Sequence, residues 1–314
     1  MVRQRTLTPS FQGSNPCGPA IKHHIFIWCF FILSDSGIKS PCFTFTLANQ
    51  ISAFDTRIRS YEKRFVQRCG LAYENQEVFM YSFKSNIRFS EVDNHLYATL
   101  PSILTYFQDC SIFHSEFIER GVEYCKQQGF AWLLSSWQII VERYPKLGEE
   151  VTVSTWAYGF KGFFGYRNFS MKDKAGNMIA YANTNWIFTD IKTGHPTRIT
   201  QDMIDAYSYE PQLEMQVAPR KIAIPAGGTA KEAISVHKFD IDSNEHVNNE
   251  RYVLMAQEFL PEGFQTYQLR AEYKRAAVYG DTIYPVVSEE EGKITVVLND
   301  ENSSPYAVIV FETA

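Results

Sequence analysis

Asp242, Asn244 and His246 alternate in a polar stretch, Asp240-Ile241-Asp242-Ser243-Asn244-Glu245-His246-Val247-Asn248-Asn249, that stands just ahead of an apolar run. In an extended segment alternate side chains share one side, so this spacing gathers a carboxylate, an amide and an imidazole. Asn248 or Asn249 suits the N-cap of a helix that begins there. The unpaired N–H groups of a helix start favour developing negative charge. Such a set fits attack of water on an acyl group. The carboxylate or the imidazole takes the proton, and the amide and the helix start hold the water or the oxyanion. The same residues also read as an Asx-rich turn that only caps a helix. One asparagine suffices for that, which leaves the other polar groups to be explained.

A related loop, Ser90-Glu91-Val92-Asp93-Asn94-His95-Leu96, occurs earlier. Matching Phe89 with Phe239 and Asn94 with Asn244, an offset of 150, sets Val92 against Asp242 and Leu96 against His246. Asp93 and His95 then fall one residue out of step. On this alignment one active site per chain is expected, in the C-terminal half, with the first half supplying structure and a ligand pocket. Among the other histidines, His114 shares a predicted helix with Cys110 and reads as core or surface. His195 precedes a proline in a turn, and His237 lies in the predicted strand before the loop, read either as an ordinary strand residue or as one that lines the site. The sequence holds no G-x-S-x-G, Walker, G-x-G-x-x-G or H-E-x-x-H pattern and no CxxC pair. Neither a cofactor nor a metal is expected.

The elements that must position the loop repeat in order. Strands are predicted at Ser82–Phe89, Phe130–Val141, Val151–Tyr158, Phe164–Asp173 and Met178–Asp190, with a helix over Thr99–Arg120 whose Leu100, Ile103, Leu104, Phe107, Ile112 and Phe117 lie near helical spacing. The second half reads as a short strand Ala233–Phe239, a helix Glu250–Phe259, and strands Thr266–Lys274, Thr282–Ser288, Lys293–Asn299 and Tyr306–Thr313. Gly148-Glu149 and Gly280-Asp281 mark equivalent turns at an offset of 132, so the first half carries about 18 extra residues between helix and second strand. A long helix on one face of an antiparallel sheet is an α+β unit, and two in tandem can pair their sheets edge to edge. The organisation read from this is an extension over 1–79, a first unit over 80–197, a Pro/Gly-rich linker over 198–232 and a second unit over 233–314. Trp132, Trp137, Trp156, Phe163, Phe164, Tyr166, Trp186 and Phe188 fall on first-half strands. They read as ordinary core or as the wall of an apolar tunnel for a long acyl chain.

Composition narrows the partners. The 314 residues carry a formal charge of −5 and are 45% hydrophobic, which excludes whole-chain disorder. Residues 1–79 hold nine Lys/Arg and five Asp/Glu, while 80–314 hold 21 and 30. No basic stretch alternates with exposed aromatics, so nucleic acid is not expected as a partner. The apolar run Ile25–Leu33 is too short to span a bilayer, and no A-x-A-like site follows it. Sparse cysteine favours a reducing compartment. A cytoplasmic chain that begins naturally at Met80 is the expectation, with no membrane partner and with monomer and homodimer both open.

Three stretches carry a resemblance: Trp132-Leu133-Leu134-Ser135-Ser136-Trp137-Gln138-Ile139 continuing to Arg143-Tyr144-Pro145 and Gly148; Trp186-Ile187-Phe188-Thr189-Asp190 with Thr193 and Pro196; and Asp242–Asn249 followed by Tyr252. From about Met80 to Thr313 the sequence resembles the acyl-acyl-carrier-protein thioesterases, bacterial branch, with the plant plastid enzymes as relatives. The resemblance implies a tandem hotdog fold, each half a long helix wrapped by an antiparallel sheet. It implies hydrolysis of the fatty acyl thioester on carrier-protein phosphopantetheine, with the family's Asp, Asn and His at Asp242, Asn244 and His246. Plant members also carry an acid and a cysteine after E-Y-R-R. Here Glu272-Tyr273-Lys274-Arg275 runs into Ala276-Ala277, so a cysteine nucleophile is excluded and direct water attack is expected. The carrier is acidic, which makes Arg143, Lys146, Arg220, Lys221, Lys274 and Arg275 candidates for a docking patch. Competing readings are an acyl-coenzyme A thioesterase, a hydroxyacyl dehydratase, and an acyl-binding module without turnover.

Overall fold

The computed structural model describes residues 80–314, and the 1–79 extension with its apolar run lies outside the described residues. In chain order the elements are β1 (Tyr81–Asn86), α1 (Leu100–Phe117), α2 (Val122–Gln128), β2 (Phe130–Val141), β3 (Glu150–Lys161), β4 (Phe164–Asp173), β5 (Met178–Asp190), α3 (Gln201–Tyr207), β6 (Thr229–Ala230), β7 (Ile234–Ser235), α4 (Asn249–Gln257), β8 (Gln268–Tyr273), β9 (Thr282–Glu290), β10 (Lys293–Asn299) and β11 (Pro305–Glu312). The strands form one antiparallel sheet in the order β1-β3-β4-β5-β2-β8-β11-β10-β9-β6, with β7 also on β9. Read outward from its middle, β2-β5-β4-β3-β1 on one side mirrors β8-β11-β10-β9-β7 on the other. The two halves meet where β2 pairs with β8, from Ser136 opposite Glu272 to Ile140 opposite Gln268.

Each half lays one helix on the sheet. Thr99 caps α1, its hydroxyl accepting from the Ser102 N–H at 3.3 Å, and Pro101 sits in the first turn where its missing donor is harmless. Leu100, Ile103, Leu104, Phe107, Cys110 and His114 are the buried stripe, at the three- and four-residue spacing of one helix face. Ile112 and Phe117 lie off that stripe and are exposed, contrary to the sequence expectation. Phe107 packs on Phe169 and Trp137, ring centroids 5.3 and 6.3 Å away. Tyr252, Val253, Met255 and Ala256 of α4 join the same core, which runs unbroken across both halves.

The helix expected over Thr99–Arg120 ends at Phe117, and a second, short helix α2 follows, capped by Gly121 rather than stopped by it. With α3 it covers one end of the first-half sheet, where Cys125, Phe188, Met203 and Tyr207 form a separate cluster against Trp132. The chain beyond α3 then crosses the sheet as a strap. Its backbone satisfies side chains that would otherwise be buried polar groups on the strands. Leu213 N–H donates to Asn168 Oδ1 at 2.9 Å, Ala218 N–H to Gln138 Oε1 at 2.8 Å, and Ile222 N–H to Glu272 Oε2 at 2.9 Å. The Pro211 carbonyl accepts from Trp156 Nε1 at 2.9 Å. Stripped of the strap, each of these groups would cost about 1–3 kcal/mol to keep dry.

Among the described residues, Arg167 is a buried charge in the first half that meets no carboxylate. Arg167 donates to His114 Nδ1 at 2.9 Å and to Thr155 Oγ1 at 3.3 Å, and lies over the Tyr207 ring at 5.2 Å. Burial, with the guanidinium beside it, lowers the His114 pKa to about 3. A folded-state pKa below the unfolded value means that the unfolded chain binds the extra proton. His114 therefore contributes stability that is complete above about pH 6.5 and is lost as the pH falls toward 3. His114→Gln, which keeps an acceptor for Arg167 and removes the titration, is expected to flatten the fall of the thermal midpoint over that window.

Candidate active site

The loop that the sequence singles out leads directly into α4. Asp242 N–H donates to the His246 carbonyl at 2.8 Å, and Ile241 bridges Val247 in antiparallel fashion, so residues 242–246 form a closed five-residue loop. Its return requires a left-handed residue, and Glu245 takes that conformation at φ 63°. Asp242 Oδ1 accepts the Asn244 N–H at 2.7 Å, which fixes the carboxylate inside the loop. Asp242 and His246 are half-buried, and Asn244 is exposed. The three residues share one loop, yet among the described residues no side-chain hydrogen bond joins Asp242 to His246. Of the two candidate caps, Asn248 is the one that serves: its Oδ1 accepts the Glu250 N–H at 3.0 Å and starts α4, while Asn249 is the first helical residue.

Two further elements hold the loop. Val247 N–H donates to the Ala277 carbonyl at 2.9 Å. Ala277 N–H in turn donates to Tyr252 Oη at 2.7 Å, and Tyr273 Oη donates to the Asn249 carbonyl at 2.9 Å. The Ala276-Ala277 departure therefore lies against the loop, with Ala277 buried and Ala276 exposed. Sequence reasoning passed over Glu250 in the first turn of α4. Burial raises its carboxyl above the usual range, Arg251 opposes the shift, and Asp240 adds to it. His237 is exposed and stacks on Phe239 at 5.3 Å, its backbone N–H held by Asp240 Oδ2 at 2.8 Å. A cavity of about 420 Å³ bordered by Lys238, Ile241, Glu245, Val278 and Tyr279 opens beside the loop.

The first-half loop has the same geometry, which corrects the alignment drawn from sequence. Asp93 N–H donates to the Tyr97 carbonyl at 2.8 Å, Val92 bridges Ala98, and Leu96 is the left-handed residue at φ 65°. Thr99 and Asn248 are the matching caps. The offset is thus 149, not 150: Asp93 stands where Asp242 does, His95 where Asn244 does, and Tyr97 where His246 does. Beyond the helices, Ala98 N–H to Pro145 carbonyl matches Val247 N–H to Ala277 carbonyl, confirming the 132 offset there. The first half keeps an aspartate at the loop and differs in the two positions that follow it.

Of the six cations proposed for docking, four are engaged with carboxylates. Arg143 meets Glu149 at 2.6 Å and Asp173 at 3.2 Å, Arg275 meets Asp300 at 2.5 Å, Lys274 meets Glu272 at 3.1 Å, and Arg220 lies 3.9 Å from Glu272. Lys146 stands over the Tyr97 ring at 5.4 Å, and Lys221 is exposed.

A double sheet wrapped on two helices, with one polar loop feeding the second, defines a tandem hotdog protein. Family models described as acyl-ACP thioesterase N-terminal domain and C-terminal domain match residues 76–207 and 226–309, and the chain belongs to the acyl-ACP thioesterase family. It is 25% identical over 227 residues to the chloroplastic acyl-acyl-carrier-protein hydrolase FATB3 of Cuphea viscosissima, covering 66% of this chain and 54% of that one. The chain thus spans about half the length of that relative. With oleoyl-acyl carrier protein thioesterase 2 of Arabidopsis thaliana it is 24% identical over 258 residues, 73% of this chain and 68% of that one. The crystal structure of an acyl-ACP thioesterase from Bacteroides thetaiotaomicron superposes with a TM-score of 0.69 at 21% identity, covering 75% of this chain and 98% of the other. The 12:0-ACP thioesterase from Umbellularia californica gives 0.66 at 18% identity, covering 74% and 96%. These superpositions establish the fold.

Tyr252 is the brace whose removal is readable. Tyr252→Phe leaves the buried Ala277 N–H without an acceptor and is expected to cost about 1–3 kcal/mol in a urea unfolding curve. An unchanged midpoint would show that the bond to Ala277 does not hold the loop.

Proposed function

We propose that this chain hydrolyses the thioester between a fatty acyl chain and the phosphopantetheine of acyl carrier protein, releasing free acid and carrier. The observation that carries the reading is the closed Asp242–His246 loop set at the cap of α4 in a chain of this family. Water attacks the thioester carbonyl carbon. Asp242 and His246 manage the proton, which ends on the departing sulfur, and Asn244 with the α4 N-terminus steadies the oxygen that gains charge. The C-terminal half holds this chemistry. The aromatic strands of the first half receive the acyl chain, although Trp137, Phe107 and Phe169 are packed on one another as core. Among the described residues no helix is long and apolar enough to cross a membrane. The sparse cysteine usage, with none after Cys125, favours a reducing compartment, and on that ground the reading sets the reaction in the cytoplasm.

Setting aside the cations that pair with carboxylates among the described residues leaves a docking patch of Lys146, Lys221 and the rim of the loop, where Lys238 stands over Tyr279 at 5.6 Å. Ala276 and Ala277, in place of the plant acid and cysteine, favour a second reading in which the chain binds acyl groups without turning them over. Incubating the full chain with acyl carrier proteins of medium to long acyl length and measuring released fatty acid separates the two. We expect release, and its loss in His246→Ala with an unchanged thermal midpoint. Wild-type rates in His246→Ala would remove the site assignment. Bound acyl groups without release would select the binding module.

A further inference from the structure

The candidate loop forms one side of a groove whose other residues take no part in the chemistry. A single 3-10 turn, Lys238–Asp240, leads into the loop and leaves Lys238 and Phe239 exposed, Phe239 at 69%. On the other side Val278 and Tyr279, 44% and 59% exposed, follow the Ala277 carbonyl that holds Val247. Lys238, Ile241, Glu245, Val278 and Tyr279 border the cavity of about 420 Å³ between them, a size within the roughly 300–1,000 Å³ of small-molecule sites. Ile241 closes the loop by its bridge to Val247 and Glu245 is the loop's left-handed residue, so the lining itself sets this cavity at Asp242–His246.

The lining mixes charge with apolar surface. Lys238 Nζ rests over the Tyr279 ring at 5.6 Å and meets no carboxylate among the described residues. An exposed ammonium held only by an aromatic face keeps its hydrogen-bond donors for a further partner. Arg251 stands over Phe239 at 5.8 Å and pairs with Glu250 at 3.6 Å. The ligand that suits this groove carries an anion at one end, hydrogen-bond donors for the Glu245 carboxylate, and alkyl segments for Ile241, Val278 and Tyr279.

The repeat shows that this mixture is no requirement of the backbone. Phe89–Glu91 is the same 3-10 turn in the first half, at the offset of 149, with the Arg88 N–H held by Glu91 at 2.8 Å. There Phe89 stands for Lys238 and Leu96 for Glu245, and by the 132 offset Leu147 stands for Tyr279. All three are exposed apolar residues. Lys146, in the place of Val278, covers the Tyr97 ring. The exposed cation and carboxylate thus border the loop that carries Asp242, Asn244 and His246, and apolar residues take their positions at the other.

We propose that the groove holds the phosphopantetheine arm of the carrier protein and that Lys238 binds its phosphodiester. This rests on the thioester-hydrolase reading. The arm is a chain of amides and short alkyl segments between a phosphodiester and the thioester sulfur. Its phosphate meets the Lys238 ammonium in a charge-assisted hydrogen bond, its amide N–H and hydroxyl groups donate to Glu245, and its alkyl segments lie on Val278 and Tyr279. Lys238 precedes Asp242 by four residues, so their Cα atoms stand within about 14 Å, a span that the extended arm covers to bring the thioester to the loop.

The test compares thioesters of one acyl chain on acyl carrier protein, on phosphopantetheine and on pantetheine, which lacks the phosphate. The full chain is used, and kcat and KM are read separately alongside thermal midpoints. The wild type is expected to take acyl-phosphopantetheine with a KM on the order of tenfold below that of acyl-pantetheine, an advantage that shrinks as salt rises. Lys238→Gln should abolish the advantage and raise KM for the acyl carrier protein by a similar factor, leaving acyl-pantetheine kinetics and the thermal midpoint unchanged. Lys238→Arg, which keeps the cation, should retain it. Lys293→Gln, which removes a cation at the start of β10, should alter none of these. A phosphate advantage that survives in Lys238→Gln, an equal loss on acyl-pantetheine, or an equal loss in Lys293→Gln would each overturn the proposal. A wild type that hydrolyses the phosphopantetheine and pantetheine thioesters alike keeps the hydrolase reading and overturns the role of Lys238. A wild type that releases no acid from any carrier overturns the hydrolase reading. Calorimetric binding of acyl-phosphopantetheine against acyl-pantetheine, in wild type and Lys238→Gln, then decides on Lys238 by itself.

Discussion

The pairing of β2 with β8 is the constraint on which the molecule depends. Five residue pairs join two sheets that would otherwise each end in an open strand edge. Because the joined strands are the last in each half's order, the union buries both edges at once and brings α1 and α4 against one another over a shared core. Every residue that links the halves follows from that seam. Gln138 and Glu272 are polar side chains on the seam strands, and the strap crossing there supplies the backbone groups they need. Glu272 also gathers Lys274 and Arg220 around a nearly solvent-free carboxylate, a charge that is tolerable only because it is paired and hydrogen-bonded.

Much of this was legible in the residues. Phe130–Val141, Phe164–Asp173, Met178–Asp190 and Lys293–Asn299 were delimited by their apolar runs and turn signals and occur with those bounds. The repeat was legible too, because Gly148-Glu149 and Gly280-Asp281 mark one turn made twice. The loop register was not. Asn94 and Asn244 share a side chain without sharing a position, and what aligns the loops is a backbone closure and a cap, Thr99 in one and Asn248 in the other, whose residue types differ. A one-residue error there hides the fact that Asp93 matches Asp242. The helix α2 was missed because its seven residues bury only Cys125 and show no periodic face.

The site's supports were harder still to read. Nothing in the spacing of Gln108 or Tyr252 announces that one touches the cap of α4 and the other the backbone beside it. Both contacts exist only after the sheet has closed. Nor does a count of lysines and arginines foretell a surface, since Arg143 and Arg275 spend their charge on neighbouring carboxylates.

Leu96 and Glu245 adopt the same left-handed backbone at the tips of the two loops. Leucine has no polar group with which to reward that conformation, so the bend is an architectural demand of the strand-to-helix passage. The loop's shape is therefore separable from the side chains it carries. The first half carries a blank of the candidate-site loop, already folded to form and holding an aspartate in place, into which new side chains at His95 and Tyr97 would be delivered on the same backbone closure.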